Sequence, residues 1–435
     1  MGLLGLGTVG AGTYRVLTRN QSLIVARAGR HLVITQVAVR DLARAKAIVG
    51  SEVTLTTDPF AVVTHPDIDV VVEVIGGVTL AKALVLQAIA HGKHVVTANK
   101  ALLAEHGAEI FAAAEAKGVI VAYEGAVAVS IPIIKALREG LVANRIEWLA
   151  GIINGTSNFI LSEMCSKGLS FDAALADAQR MGYAEADPSF DVDGIDAAHK
   201  LCLLAANAFG TPLQFTQVHT QGIADLQAAD MAYAEQLGYR IKLLGIARRT
   251  EAGLELRVHP ALLPSDHLMA SVDGSMNAVM VKSDATGITL HYGAGAGSEE
   301  TASAVIADLV DVARAFDTSA RQRVPHLAFQ SQDLVDLPVL PIAKVVSSYY
   351  LRLDLPTSEM VESGMMRDVL HCLAQAGVDV QSHALLPHHQ DAARRVFTVL
   401  TLPVQHAAML RPVQLLQEFP NALDAPTLLR VEHLD

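Results

Sequence analysis

The chain lacks most of the features that would take it away from an ordinary α/β enzyme. Its three cysteines, Cys165, Cys202 and Cys372, are scattered over 435 residues without paired or metal-ligand spacing. That excludes a disulfide framework and a cysteine-built zinc site, and it fits a reducing cytoplasm. Basic residues are in deficit, 33 Lys and Arg against 45 Asp and Glu, for a formal charge of −12. Nucleic acid and anionic membrane surfaces call for a basic footprint, so neither is an expected partner. There is no uninterrupted apolar run long enough to cross a bilayer. The strongest stretch, 119–134, is broken by Glu124 and Pro132. No basic-then-apolar leader opens the chain.

What is present is alanine, valine and alternation. Half the residues are hydrophobic while aromatics make up 5%, a composition suited to buried parallel strands. The length predicts two or three domains. Over the first 125 residues, apolar runs at 3–6, 31–39, 69–76 and 94–99 alternate with alanine-rich helical segments, the pattern of a doubly wound βαβ sheet. The expected fold is therefore α/β, with a Rossmann domain over 1–128. An α+β catalytic and oligomerisation domain follows over 129–299. It is expected to include helices at 131–142, 156–168, 170–181 and 192–209 and strands at 145–153, 241–247, 254–259 and 276–282. The helical segment 300–318 is expected to pack back on the first domain. Breaker-rich 319–345 reads as a linker. Residues 346–435 read βαββαβ, an independent ferredoxin-like unit. The first strand is short for a central parallel strand, which points to a start inside a longer natural chain.

Gly5-Leu6-Gly7-Thr8-Val9-Gly10 fits G-x-G-x-x-G between a strand and a helix. Glycines there allow a tight turn and close approach of a pyrophosphate, which the helix N-terminus attracts. The second strand ends Val39-Arg40-Asp41. Arg40 leans the choice toward NADP, whose 2′-phosphate it can pair; Asp41 leaves NAD open through the ribose hydroxyls. Two strand ends, Ile75-Gly76-Gly77 and Thr97-Ala98-Asn99-Lys100, lie where a doubly wound sheet holds ligands. Segment 181–200 crowds Glu185, Asp187, Asp191, Asp193 and Asp196 ahead of Lys200. Asp196 and Lys200 share a helix face, and a lysine tuned by burial and a carboxylate can serve as a proton donor. The structural alternative is a solvated acidic loop beside an ordinary helix ion pair.

Seven segments carry a family resemblance: GLGTVG, TANK, YEGAVAVSIPIIKALREGL (123–141), GIINGTSNFIL (151–161), GYAEADPSFDVDGIDAAHKL (182–201), GYRIKLLGIA (238–247) and GAGAGSEETASAVIADLVD (293–311). In their order they resemble homoserine dehydrogenase over nearly all of residues 2–316. The resemblance implies reduction of L-aspartate 4-semialdehyde to L-homoserine with NADP or NAD. It implies Lys200 as the acid–base lysine with Lys100 assisting, and Glu185, Asp191 and Asp196 as substrate ligands. Gly5, Gly7, Thr8, Val9, Gly10, Arg40, Thr97, Ala98, Lys100, Gly182 and Gly297 match cofactor positions. Glu124, Val127, Val129 and Ile131 match a monovalent cation (Na⁺) site of one carboxylate and backbone carbonyls. The family implies a homodimer or homotetramer, and the C-terminal unit resembles an ACT domain, which implies an amino-acid effector such as threonine.

The sequence departs from the family at Val129-Ser130, where a glycine-rich turn is usual, and at Glu299-Glu300, where a neutral residue and proline are usual. The ACT turn is altered around Asp354-Leu355-Pro356, with an insertion before Gly364. These departures keep two other readings in play: another Rossmann amino-acid dehydrogenase, and a catalytically weak amino-acid sensor.

Overall fold

The short valine-rich runs of the first 125 residues have no polar face, so both faces of the sheet they form must be covered. In a computed structural model, which describes residues 1–357, 359–389, 391–418 and 424–435, they build a parallel sheet. Its strands are β1 (Gly2–Leu4), β2 (Gln36–Ala38), β3 (Thr54–Thr56), β4 (Val70–Glu73), β5 (His94–Thr97) and β6 (Val121–Ala122), in the order β3-β2-β1-β4-β5-β6. The strand order reverses between β1 and β4, which opens a crevice at their carboxyl ends. Helix Thr8–Arg19 leaves β1 through the glycine turn. Helix Ser298–Arg314 returns from far along the chain to pack on it. A Cβ at Gly12 would lie 2.4 Å from the Ser298 carbonyl oxygen, so only glycine permits this approach.

A mixed sheet forms the rest of the molecule. Its strands are β7 (Ile146–Ile152), β8 (His219–Thr220), β9 (Tyr239–Thr250), β10 (Gly253–Pro264), β11 (Met276–Ser283), β12 (Gly287–Ala294), β13 (Val346–Pro356), β14 (Val380–Pro387), β15 (Arg394–Thr401), β16 (Val404–Gln405) and β17 (Thr427–Val431). The main path runs β12-β11-β7-β9-β10-β17-β13-β15-β14. Helix Ile195–Phe209 lies against β9 and β10, and from Asp196 onward each of its residues is buried. Its alanine- and leucine-rich composition favours helix, and Gly210 ends it in the left-handed conformation.

The C-terminal segment has the expected βαββαβ order, with β17-β13-β15-β14 antiparallel in the ferredoxin-like arrangement. It does not stand apart as an independent unit, however. β17 pairs in parallel with β10 at Ala261–Arg430 and Leu262–Val431, so one sheet runs through both regions. The seam is locked by buried charge: Arg257 of β10 donates to both oxygens of Glu432 and to Glu255, and lies 2.6 Å from His259. Arg352 of β13 reaches Asp230 at 2.8 Å and Gln227 at 2.8 Å across the same junction.

Residues 319–345 are a fitted strap rather than a loose linker. The His326 imidazole accepts from the Val121 N–H, the Val335 N–H caps the Gly210 carbonyl, and Val339 bridges Leu254. Three other local expectations give way. Segment 131–142 is one helical turn, Ile133–Lys135, followed by a wider-wound stretch, Ala136–Gly140. Segment 192–209 is split by Gly194, whose left-handed backbone (φ 80°) separates Ser189–Val192 from Ile195–Phe209. β12 is a further edge strand. Among the described residues no helix is long and apolar enough to cross a membrane.

Candidate active site

Three elements converge on one carboxylate. Helix Lys100–Lys117 begins at the end of β5, where the Asn99 side chain accepts from the Leu102 N–H and fixes its first turn. The chain leaving β7 supplies Ile153 and Asn154, and helix Ile195–Phe209 supplies Asp196 and Lys200. Lys100 Nζ lies 2.9 Å from Asp196 Oδ1, and Lys200 Nζ lies 2.8 Å from Asp196 Oδ2. Lys200 also donates to the Ile153 carbonyl at 2.7 Å. The Asn154 amide donates to Asp196 Oδ2 at 2.8 Å and to Asp191 Oδ1 at 2.7 Å, while its oxygen caps helix Gly155–Lys167 through the Ser157 N–H.

The electrostatics separate the two lysines. Lys200 is buried, and burial lowers its pKa although Asp196 pulls the other way. Lys100 is one-third exposed. Burial opposes its charge as well, but Asp196, Asp191 and Glu185 outweigh it and its pKa is raised. Asp196 is fully enclosed, yet the two lysines hold its pKa well below the usual carboxylate range. Burial raises the pKa of Asp191, against the Asn154 hydrogen bond. Glu185 lies on the exposed approach loop. Asp187 turns away from the centre to bond Ser189. The Phe190 ring lies 5.8 Å from the Lys100 ammonium and screens it.

The crevice over β1 and β4 is a cavity of about 490 Å³ lined by Gly5, Gly7, Arg40, Asp41, Arg44 and Gly76 among others. A Cβ on Gly7 would meet nothing within 4 Å, whereas one on Gly10 would strike the Gly5 carbonyl at 2.2 Å. The first position thus leaves room for a phosphate and the other lets helix and strand close up. The exposed Asp41 carboxylate caps helix Leu42–Val49 by accepting the Arg44 N–H, so it is already engaged. Arg40 and Arg44 line the same wall. Thr97 ends β5, Ala98 follows it on the way to Lys100, and the Thr8 carbonyl accepts from the Ser298 hydroxyl. Gly297, at φ 145°, starts the helix that packs on the glycine turn. Gly182 lies on the acidic approach loop. Of the two departures near this site, Glu299 is paired with Arg19 at 2.8 Å, and Ser130 donates to the Ala294 carbonyl at 2.8 Å.

The expected cation set lies along one stretch of chain, 124–131. Both Glu124 carboxylate oxygens accept backbone N–H groups, from Ile134 and Lys135. The carboxylate therefore caps a helix start with one accepted hydrogen bond on each oxygen. The Ile131 carbonyl accepts from Ile133. Val129 holds a left-handed backbone, φ 54°, strained for a β-branched residue, and turns the chain between Val127 and Ile131. Sequence reasoning missed Asn154, Glu73 and Arg44. Arg44 alone had a signal, as a second basic residue just after the second strand.

Two family models tile most of the chain. One described as "Homoserine dehydrogenase, NAD binding domain" matches 5–124, and one described as "Homoserine dehydrogenase" matches 132–310. A homoserine dehydrogenase of Pseudomonas aeruginosa is 59% identical over 88% of this chain and 87% of its own, and one of Neisseria gonorrhoeae is 53% identical over the same shares. The crystal structure of a homoserine dehydrogenase from Thiobacillus denitrificans superposes with a TM-score of 0.93 at 55% identity, covering 100% of this chain and 98% of that one. A hyperthermophilic archaeal homoserine dehydrogenase in complex with NADPH superposes with a TM-score of 0.61 at 25% identity, over 74% of this chain and 98% of its own. Matches of this extent leave neither the sensor nor another amino-acid dehydrogenase standing: the chain belongs to the homoserine dehydrogenase family, NAD(P)-dependent oxidoreductases that interconvert L-aspartate 4-semialdehyde and L-homoserine.

Proposed function

We propose that Lys200 is the proton donor to the alkoxide formed at C4 of the semialdehyde, with Asp196 holding it in place. The bound nicotinamide supplies the hydride in this direction and accepts it in reverse. The observation carrying this reading is the shared carboxylate: Asp196 is gripped by two lysines, of which only Lys200 is shut away from water. Burial shifts Lys200 toward a pKa at which it can both give and regain a proton. Lys100 stays charged and steadies the developing negative oxygen. Glu185 and Asp191, on the approach side, take the substrate ammonium. The test is homoserine-dependent reduction of NADP⁺ at mildly alkaline pH. Lys200→Ala is expected to lower kcat by roughly 10²–10⁴-fold while NADPH binding persists. A loss below tenfold would assign the proton to another group.

The preferred cofactor is NADP. Asp41 is used as a helix cap, and Arg40 and Arg44 both face the wall where a 2′-phosphate would rest. Replacing both arginines by alanine is expected to raise KM for NADPH at least tenfold and to leave that for NADH within about twofold. A parallel rise for both cofactors would refute the preference.

Three family properties complete the reading. A monovalent cation would be held by Glu124 together with Val127, Val129 and Ile131 of the strained turn; a Na⁺ titration of activity tests it. The C-terminal unit is an ACT-like sensor of an amino acid such as threonine, tested by threonine-dependent inhibition. The chain is a cytoplasmic homo-oligomer, tested by sedimentation of the purified protein.

A further inference from the structure

Glu73 ends β4 at the mouth of the dinucleotide crevice and is fully buried. Its Oε1 accepts the Ile75 N–H at 2.9 Å, and its Oε2 accepts the Thr97 hydroxyl at 2.6 Å. The Thr97 oxygen in turn accepts the Asn99 N–H, so its own hydrogen points to Glu73. Asn99 and the Gly76 backbone also donate toward the carboxylate. Burial raises the Glu73 pKa; the four hydrogen bonds, each donated to the carboxylate, pull against that and favour its ionised form. Among the described residues none of the ion pairs involves Glu73. A buried charge normally has a cation beside it, because hydrogen bonds from neutral groups only partly replace water.

The position suggests where the missing cation comes from. The Gly5–Gly10 turn, beside the β1–β4 crevice, takes the pyrophosphate, which sends the nicotinamide toward the ends of β4 and β5. Those ends are the Glu73–Ile75 and Thr97–Asn99 segments that Glu73 ties together. The oxidised nicotinamide ring carries a positive charge and the reduced ring is neutral. We infer that Glu73 is the electrostatic partner of the oxidised nicotinamide, giving the protein a built-in preference for NAD(P)⁺ over NAD(P)H. A preference of this sign also favours, on the protein, the direction in which the cofactor is oxidised and the semialdehyde reduced. The inference rests on the dinucleotide reading of the crevice. Its alternative is that Glu73 only pins two loops, which would serve both cofactor forms alike.

The experiment measures binding without turnover. Dissociation constants for NADPH are read from its fluorescence, and those for NADP⁺ by competition, in the parent and in Glu73→Gln. Neutralising one partly screened buried charge is expected to weaken NADP⁺ about tenfold and NADPH less than twofold. Equal weakening of both forms would overturn the inference and leave Glu73 as a loop pin. Should the glutamine variant fail to fold, Glu73→Leu is the second neutral replacement, since apolar isosteres are tolerated where buried charge is removed. A parent that binds neither form would overturn the dinucleotide reading itself.

Discussion

Replacing Asn154 by alanine separates the two tasks of one amide. Its oxygen caps helix Gly155–Lys167, and its nitrogen donates to Asp191 and Asp196 together. Loss of the cap costs about 1 kcal/mol, or a fall in Tm of about 2–4 °C for a domain of this size. Loss of the donor is more serious for chemistry. Hydrogen bonds to charged groups contribute about 1.5–3 kcal/mol each, and without the amide the half-buried Asp191 and the buried Asp196 repel one another unscreened. Asp196 keeps both lysines, so the site survives but loosens. We expect kcat/KM for homoserine to fall about 100-fold, equivalent to roughly 2.7 kcal/mol. Asn154→Asp is the companion variant. It keeps an oxygen for the Ser157 N–H and should melt near the parent, yet it adds a third carboxylate and should be at least as inactive. If the alanine variant melts lower but retains half or more of the parent kcat/KM, the amide serves the helix alone and the reasoning is wrong.

Two further perturbations probe stability. The His326 imidazole, partly buried and stacked on Phe111, accepts the Val121 N–H, and burial, reinforced by Arg138, pushes its pKa down to about 4. Because the folded value lies below the unfolded one, near 6.5, its contribution is complete above pH 6.5 and is lost as pH falls toward 4. Urea unfolding at pH 7 and pH 4 should therefore show the parent losing about 3 kcal/mol more than His326→Gln, and equal losses would contradict this. At the sheet seam, Glu432→Gln strips the almost inaccessible Arg257 of its two-point partner. A loss of about 3–5 kcal/mol is expected by chemical denaturation, largely recovered in a double variant that also carries Arg257→Met; a loss below 1 kcal/mol would refute the seam's role.

The parts legible in the sequence were those written in contiguous residues. Gly5–Gly10 needed only its neighbours to be understood, because the turn is a local steric problem. Asp196 and Lys200, one helical turn apart, were paired by spacing alone. Lys100 was placed by the strand before it. Asn154 and Glu73 escaped because their partners lie 42 and 24 residues away, and only the topology of two sheets brings them together. β12 escaped because an edge strand with no fully buried residue has no core-facing alternation. The cap that the Asp41 carboxylate makes on its own helix was not read from the sequence. The two backbone N–H groups that Glu124 accepts were not legible either, because they come from a helix start ten residues on.

The parallel pairing of β10 with β17 has a consequence for how the C-terminal unit can be altered. A strand edge stripped of its neighbour offers unpaired backbone groups to any passing strand. Cutting the chain after the strap would bare β10 at Ala261 and Leu262 and open the Arg257 network to water. The C-terminal unit thus covers a strand edge that would otherwise be open to self-association. It cannot swing on a hinge without tearing a sheet, because β17 is bonded to β10, the strand on which the Lys200 helix packs.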